Sequence, residues 1–358
     1  MFSRCFVCIT TTFVCAVLRA WDVVVNRRIR RRLLEACTNG STRDVEQALR
    51  RTSNVEAKNA DGWTSLIVAA DRGHDQIVRV LLRYNANINA RTRYGSSVLK
   101  VAATKGYFSI VQALLEAGAD IDTPGYDGFT PLISATTNGH SDVVKLLVRY
   151  QANVDFQGQG GGTALVVACE TGMLDIVETL LEGGAIVDLT TAEGWTPLTS
   201  AAAHGHANIV RLLLKYKANV DLKGPRHATA LRFAAQFGRL EVARVLIYGG
   251  ASLDEPSEDG LTPLHIAVKK GYSDIVQLLV SSDANLDLQC ELGATALVTA
   301  AMYNHLEPLR ILLDAGADVD LKSKGGWTVL SMAYFSGYPQ LVQLILERRP
   351  ASMMDPPQ

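Results

Sequence analysis

The sequence predicts an all-α repeat solenoid, built from helix-turn-helix repeats with projecting β-hairpin loops. A hydroxyl residue recurs at a constant interval without insertion, at Thr64, Ser97, Thr130, Thr163, Thr196, Thr229, Thr262, Thr295 and Thr328. Glycine recurs in the same phase, two residues before and nine residues after most of these positions. A constant period of about 33 residues is the signature of stacked supersecondary repeats.

The first helix of each repeat is expected to begin at this hydroxyl residue, whose oxygen can accept a free backbone N–H. Pro131, Pro197 and Pro263 follow at the first helical position, where a missing N–H costs nothing. The later glycine ends the helix where a positive φ is needed, and Asn304 is a tolerated substitute there. His227 stands where the other repeats have the earlier glycine, which marks an irregular loop.

The second helix of each repeat is predicted by apolar pairs one turn apart, such as Ile77-Val78 and Leu81-Leu82. Polar turns rich in Asn and Asp follow it and predict the hairpin loops. Residues 31–58 match only part of the pattern of the next repeat. They are therefore predicted to form an incomplete repeat that caps the N-terminal end of the array. We therefore divide the chain into an N-terminal segment (1–30), a repeat array with its cap and nine repeats (31–349) and a short tail (350–358).

The residues Asp259 to Ala267 contain Thr-Pro-Leu-His-Ile-Ala, which resembles the T-P-L-H-x-A signature of the ankyrin-repeat family. The resemblance covers about residues 31–349. His265 alone keeps the signature histidine, so we expect one internal hydrogen bond to be weakened in each other repeat. The replacements are Ile67, Lys100, Ile133, Val166, Thr199, Arg232, Val298 and Ser331. The resemblance implies a protein-interaction module with a concave groove lined by hairpin tips and first-helix ends.

Candidate binding residues come from the columns that vary most among otherwise uniform repeats. The first of these columns holds the residue before each hydroxyl position, together with its neighbours at the predicted hairpin tip. The others hold the two residues before the helix-ending glycine. Aromatic and basic side chains dominate binding hot spots. The candidates are Trp63, Arg72, Lys105, Tyr126, Phe129, Trp195, Phe237, Lys269, Lys270, Tyr303, Trp327 and Phe335. The alternative is that these rings stiffen the stack by packing on neighbouring tips.

The sequence contains no motif for catalysis, and we expect neither enzymatic activity nor a cofactor or metal. His74, His140 and His206 share a phase but are two repeats apart, which is too far for one metal ion. We interpret them as structural histidines at helix starts. Residues 1–32 carry seven Arg and one Asp, and the remaining 28 basic and 35 acidic residues leave a charge of −7. This acidic balance disfavours nucleic-acid binding.

The N-terminal segment leaves three interpretations open. Phe6 to Leu18 is an uncharged, largely apolar run, shorter than the roughly 20 residues that a membrane span needs. It fits the core of a signal peptide, a membrane anchor with Cys5, Cys8 and Cys15 as acylation sites, or an extension or misassigned start. The scattered cysteines of the array favour a reducing compartment, so we expect a cytoplasmic protein, membrane-associated if the segment is an anchor.

These observations predict a non-enzymatic scaffold or adaptor that binds a protein or peptide partner along the groove, as a monomer. Two alternatives remain. The chain could be a membrane-tethered adaptor, with residues 1–30 as the tether. It could also be the substrate-recognition part of a larger signalling enzyme, such as a kinase or ubiquitin ligase.

Overall fold

The computed structural model describes residues 27–51, 55–59 and 61–348. The chain forms two compact units, Met1–Gln159 and Gly160–Gln358. The division falls in the glycine-rich stretch 158–162, which contains a short 3-10 turn, Gln159–Gly161. In both units the helices follow in pairs, one pair for each repeat. The predicted solenoid of helical repeats is confirmed.

The first compact unit contains the cap and three full repeats. Its helices are α1 (27–39), α2 (Thr42–Leu49), α3 (Ser65–Asp71), α4 (Asp75–Arg83), α5 (Val98–Lys105), α6 (Phe108–Glu116), α7 (Pro131–Thr137) and α8 (Ser141–Arg149). Since α1 already includes residue 27, the cap helix begins before the predicted boundary at residue 31. The loops carry no regular strand within the described ranges. Single bridges, Lys58 with Thr64 and Arg91 with Ser97, close two hairpins.

The second compact unit contains six full repeats. Its helices are α9 (Ala164–Thr171), α10 (Leu174–Glu182), α11 (Pro197–His204), α12 (Ala207–Lys215), α13 (Ala230–Gln236), α14 (Leu240–Tyr248), α15 (Pro263–Lys270), α16 (Ser273–Ser281), α17 (Ala296–Met302), α18 (Leu306–Asp314), α19 (Val329–Phe335) and α20 (Pro339–Arg348). Within each compact unit, first helices pack on first helices and second helices on second helices. Leu, Val, Ile and Ala fill the space between them.

The hydroxyl column caps the first helices as predicted. The N–H of Ile67 donates to Thr64 Oγ1 over 3.3 Å, and the same bond recurs at each of the nine positions. Pro131, Pro197 and Pro263 occupy the first helical turn, as expected. Each cap satisfies one of the N–H groups that a helix start leaves free.

The glycine column ends the first helices in the left-handed region, also as predicted. Its φ values include 73° at Gly106 and 80° at Gly172, and Asn304 has 58°. At seven glycines, the residue that follows the helix-ending glycine or Asn304 of the next repeat covers the glycine. These are Gly40, Gly73, Gly106, Gly172, Gly205, Gly238 and Gly271. The His140 ring lies on Gly106, and its Nε2 donates to the Thr104 carbonyl over 3.0 Å. We call this arrangement the ring latch.

The ring latch recurs along both compact units. His74, His206 and His305 make the same bond to a carbonyl 36 residues earlier, and Arg239 donates to Ala203 in the same way. These carbonyls lie at the ends of first helices, where intrahelical partners are missing. The predicted structural role of the helix-start histidines is therefore confirmed.

A ladder of polar side chains joins the loops that follow the second helices. In each step a carboxylate or amide oxygen accepts a backbone N–H from the corresponding loop of the next repeat. The steps run from Glu56 to Asn87, Asn89 to Asp120, Asp122 to Asn153, Asp188 to Asn219, Asp221 to Ser252, Asp254 to Asn285 and Asp287 to Asp318. The ladder aligns successive hairpins and so positions the residues at their tips.

The hairpin before α13 is the irregular one that His227 predicts. Arg226 and His227 both adopt left-handed backbone conformations, with φ of 57° and 56°. Such a conformation costs a residue with a Cβ roughly 1–2 kcal/mol. Because the other tips place glycine at the position of His227, this tip carries strain that they lack.

We expect the His227→Gly variant to be more stable than the wild type by about 0.5–1 kcal/mol, because glycine relieves the strain and part of the gain is lost to unfolded-chain entropy. Urea unfolding followed by circular dichroism measures the change. Gly326→Ala is the matched control. It occupies the same column with φ of 78° and open space around the new Cβ, so it should lose about 1 kcal/mol. Equal stability of His227→Gly and wild type would contradict the strain.

Candidate functional site

The predicted tip residues of the second compact unit form an aromatic stack. Trp195 packs on Phe233 with ring centroids 4.8 Å apart, and Phe233 stacks on Phe237 at 6.5 Å. Phe233 is buried with Ala203 and Ala228, while 42% of Phe237 remains exposed. The stack thus holds an exposed ring on a buried base, which reduces the conformational entropy that Phe237 would lose on binding.

A second aromatic cluster lies in the last repeat. Trp327 meets Phe335 edge to face at 4.9 Å, and Tyr334 meets Phe335 at 6.0 Å. Tyr334 and Phe335 are each 73% exposed. Two neighbouring large rings that are exposed to this extent would gain free energy if a partner covered them. This surface is therefore available for a ligand.

Basic and aromatic candidates meet between α15 and α17. The Lys269 ammonium lies 5.6 Å from the centre of the Tyr303 ring, within range of a cation–π interaction. The His305 ring also stacks near Tyr303, with ring centroids 6.4 Å apart. Lys270 is exposed. Three of the predicted residues therefore lie on adjacent first-helix ends.

The candidates of the first compact unit are more dispersed. Arg72 and Lys105 both lie within 4.0 Å of Asp71, so one carboxylate partly neutralises them. Tyr126 is 78% exposed, and its backbone N–H donates to the Tyr94 carbonyl.

The two remaining candidates of this unit are half-buried hairpin residues, Trp63 and Phe129. Trp63 Nε1 is buried and has no hydrogen-bond partner in the part of the chain that the structure describes. Among the described residues, the rings of Trp63, Tyr126 and Phe129 form no ring pair with one another. They therefore do not form an aromatic cluster like the two of the second compact unit.

Two buried cations, Lys100 and Arg232, bind side chains at hairpin tips. These contacts were not predicted from the sequence. Lys100 is 4% exposed and donates from Nζ to Asp127 Oδ2 over 2.6 Å. Arg232, in the same phase, donates from Nε to Ser257 over 2.7 Å and pairs with Asp259 at 3.6 Å. The expectation of a weakened bond at these positions is wrong, since each cation reaches the tip of the next repeat.

The electrostatics of the tips follow from these pairs. Partial burial pushes the pKa of Asp127 upward, but the hydrogen bond from Lys100 and the N–H of Phe129 outweigh it, so the pKa lies below its ordinary value. The pKa of Asp259 is lowered in the same way, with burial outweighed by the Ser257 hydroxyl and Arg232. Both tips therefore keep ionised carboxylates at neutral pH.

The signature histidine makes the equivalent bond through a neutral ring. His265 Nε2 donates to the Ala294 carbonyl over 3.0 Å, and Thr262 Oγ1 lies 2.9 Å from His265 Nδ1. Burial lowers the pKa of His265 below its usual value. Thr199 and Ser331 instead complete capping boxes with the hydroxyl residue of their own helix. Five of the nine repeats thus keep a polar bond at this position.

A family model described as ankyrin repeats (three copies) matches residues 33–125, 123–191, 183–257, 217–290 and 264–355. The overlapping matches span most of the chain. The chain belongs to the ankyrin-repeat family. Ankyrin repeats generally mediate protein–protein interaction and are typically non-enzymatic modules. No curated protein matches the chain.

Two of the cysteines of this ankyrin array are poor nucleophiles, because their thiols are deeply buried. Cys37, Cys169 and Cys290 are free thiols and buried. Burial raises the pKa of Cys37 to about 12 and that of Cys169 still further, so neither forms a thiolate at neutral pH. Over residues 27–51, 55–59 and 61–348, no group of His, Cys, Asp and Glu has the arrangement of a metal site. In the same ranges, no helix combines the length and apolar character that crossing a bilayer requires.

Phe233 and Tyr334 complete the two aromatic clusters of this ankyrin array, and neither is among the residues predicted from the sequence. A signal for Phe233 was present, because it lies one helical turn before the candidate Phe237. Tyr334 directly precedes the candidate Phe335. The apolar run at residues 6–18 and its cysteines lie outside the described residues.

Proposed function

We propose that this chain is a non-enzymatic scaffold that binds a protein or peptide through its hairpin tips and first-helix ends. The observation that carries the proposal is the set of exposed rings Phe237, Tyr303 and Phe335 at the ends of first helices. Each is braced by a neighbouring aromatic side chain. Aromatic side chains held in this way lose little freedom on binding and supply much of the energy of protein interfaces.

The flanking charges suggest how the partner is oriented. Lys269 offers positive charge beside Tyr303, and the exposed Lys270 follows it directly in the chain. A partner with both acidic and apolar side chains would complement the second compact unit. We further propose a monomer in a reducing, cytoplasmic compartment, which the free, buried cysteines support.

The test is a capture experiment with the full chain and two triple variants. The tip variant carries Phe237→Ala, Tyr303→Ala and Phe335→Ala. These exposed rings are preferable to Trp195, whose removal would also disturb Phe233. The matched control carries Tyr84→Ala, Tyr150→Ala and Tyr248→Ala, which remove three exposed rings from the ends of second helices.

We expect wild type and control to capture the same proteins from a cell lysate, quantified by mass spectrometry, and the tip variant to lose them by at least tenfold. Circular dichroism must show equal helicity in all three. Equal capture by the tip variant, or an equal loss in the control, would contradict binding at the tips.

A further inference from the structure

The cap of the array is strongly basic, in contrast to the rest of the chain. Residues 27–58 carry nine Lys and Arg against four Asp and Glu, whereas residues 59–358 carry 24 basic and 31 acidic residues. Five of the nine are arginines of α1: Arg27, Arg28, Arg30, Arg31 and Arg32. All five are exposed, while Leu33, Ala36 and Cys37 of the same helix are buried.

Four of these arginines line a shallow depression between α1 and the first hairpin. Arg27, Arg28, Arg30 and Arg31 border it from the helix, and Lys58 from the hairpin; its volume is about 960 Å³. Glu35 is the single acidic residue of this lining, and it pairs with Arg31 at 2.8 Å. Within the described residues, Arg27, Arg28 and Arg30 have no ion-pair partner. The depression therefore has a large excess of positive charge and several guanidinium groups able to bind phosphate.

Two kinds of polyanion, nucleic acids and anionic membranes, present phosphates to such a surface, and the sequence favours the membrane. After Asn26, the arginines follow the apolar residues Trp21 and 23–25, which are themselves preceded by the run 6–18. Basic residues next to apolar ones are typical of segments that meet an anionic membrane surface, where acyl chains and headgroups are both within reach. Aliphatic side chains such as those of residues 23–25 gain more free energy from acyl chains than from the polar and charged surface of nucleic acid.

We propose that α1 is a docking surface for the anionic headgroups of a lipid bilayer. Arg27, Arg28, Arg30 and Lys58 bind headgroup phosphates or carboxylates. This inference is independent of the partner-binding proposal, because it concerns the cap and not the exposed rings of the tips. It also requires no membrane-spanning helix.

The experiment measures binding of the full chain to sedimented vesicles, either pure phosphatidylcholine or a mixture in which roughly one lipid in three is phosphatidylserine. The test variant is Arg27→Gln, Arg28→Gln, Arg30→Gln. The control is Arg83→Gln, Arg149→Gln, Lys215→Gln, which removes the same charge from exposed ends of second helices. Each basic residue near an anionic surface is worth about fivefold in binding, so the test variant should bind the phosphatidylserine vesicles about 100-fold more weakly. The control and wild type should bind alike, and more weakly as NaCl is raised.

Three outcomes would overturn the proposal. Equal binding to both vesicle types by all variants would assign the affinity to the apolar segment. Equal losses of vesicle binding in the test and control variants would show that binding depends only on the net charge of the chain, and not on the arginines of α1. A short DNA duplex that binds more tightly than the vesicles at the same salt concentration, and that loses affinity in the same test variant, would make the surface a nucleic-acid site.

Discussion

Gly106→Ala is expected to lower the free energy of unfolding by about 3 kcal/mol. The new Cβ would lie 2.5 Å from His140 Nδ1, closer than any ordinary contact. The ring must then move, and its 3.0 Å bond to the Thr104 carbonyl is lost. Overpacking of this kind costs about 1–3 kcal/mol, a hydrogen bond about 1 kcal/mol, and the left-handed φ of 73° at least about another 1 kcal/mol. Partial relaxation of the ring brings the expected total to the low end of the summed costs, about 3 kcal/mol.

Urea unfolding of the full chain measures the loss, and Gly118→Ala is its control. Gly118 has a φ of 86° but no heavy atom within 4 Å of the added Cβ, so its variant should lose only about 1 kcal/mol. The double variant Gly106→Ala, His140→Ala removes the clash, and we expect its coupling energy to be favourable. If Gly106→Ala and Gly118→Ala lost the same amount, the ring latch would contribute nothing to the stability of the stack.

Much of this fold could be predicted from one sequence because the signals that begin and end its helices are local. A cap such as Thr130 bonds three residues on, and a glycine such as Gly139 ends the helix nine residues on. The constant period repeats these local rules in every repeat, so the same columns appear again and again. Each repetition makes the pattern harder to attribute to chance, and the helix pairs follow from it.

Contacts between repeats were much harder to predict. The partners Lys100 and Asp127 belong to different repeats, and nothing in local helix chemistry relates them. A signal did exist, because Arg232 and Asp259 are a second pair of cation and aspartate at the same two positions. To recognise this pair, one must know that the side chain at the signature-histidine position contacts the hairpin tip of the next repeat. The single T-P-L-H-x-A match at His265 does not contain that information.

The candidate site was predicted in its location but not in its grouping. The variability of their columns drew attention to Trp195 and Phe237, yet their packing partner Phe233 is a core residue whose column looks ordinary. The charges predicted at Arg72 and Lys105 also share one carboxylate, Asp71. Side-chain pairing of this kind depends on rotamers and on the spacing of repeats, neither of which a hydrophobic pattern contains. The role of these residues in binding stays a prediction.

Asp127→Ala is expected to destabilise the array by about 2 kcal/mol, because it removes one partner of an ion pair whose other member is buried. The Asp127 side chain is itself 55% exposed, so the cost arises at Lys100. The Lys100 side chain is 5% exposed and would keep a buried ammonium without its carboxylate. Removing one partner of a fully buried ion pair costs about 3–5 kcal/mol, and access of water to the vacated tip reduces this figure. Thermal and urea unfolding of the full chain measure the change.

The variant Lys100→Ile decides whether the loss belongs to the unpaired charge. Ile67 and Ile133 occupy the same position in the two neighbouring repeats and are fully buried, so the site accepts isoleucine in this architecture. We expect Lys100→Ile alone to change stability by less than about 1 kcal/mol, because apolar replacement of a buried pair is often neutral. In the Lys100→Ile, Asp127→Ala double variant most of the lost stability should return. A double variant that is as unstable as Asp127→Ala would show that the aspartate acts through its bond to the Phe129 N–H, found at 3.1 Å, and that the buried lysine is incidental to the tip.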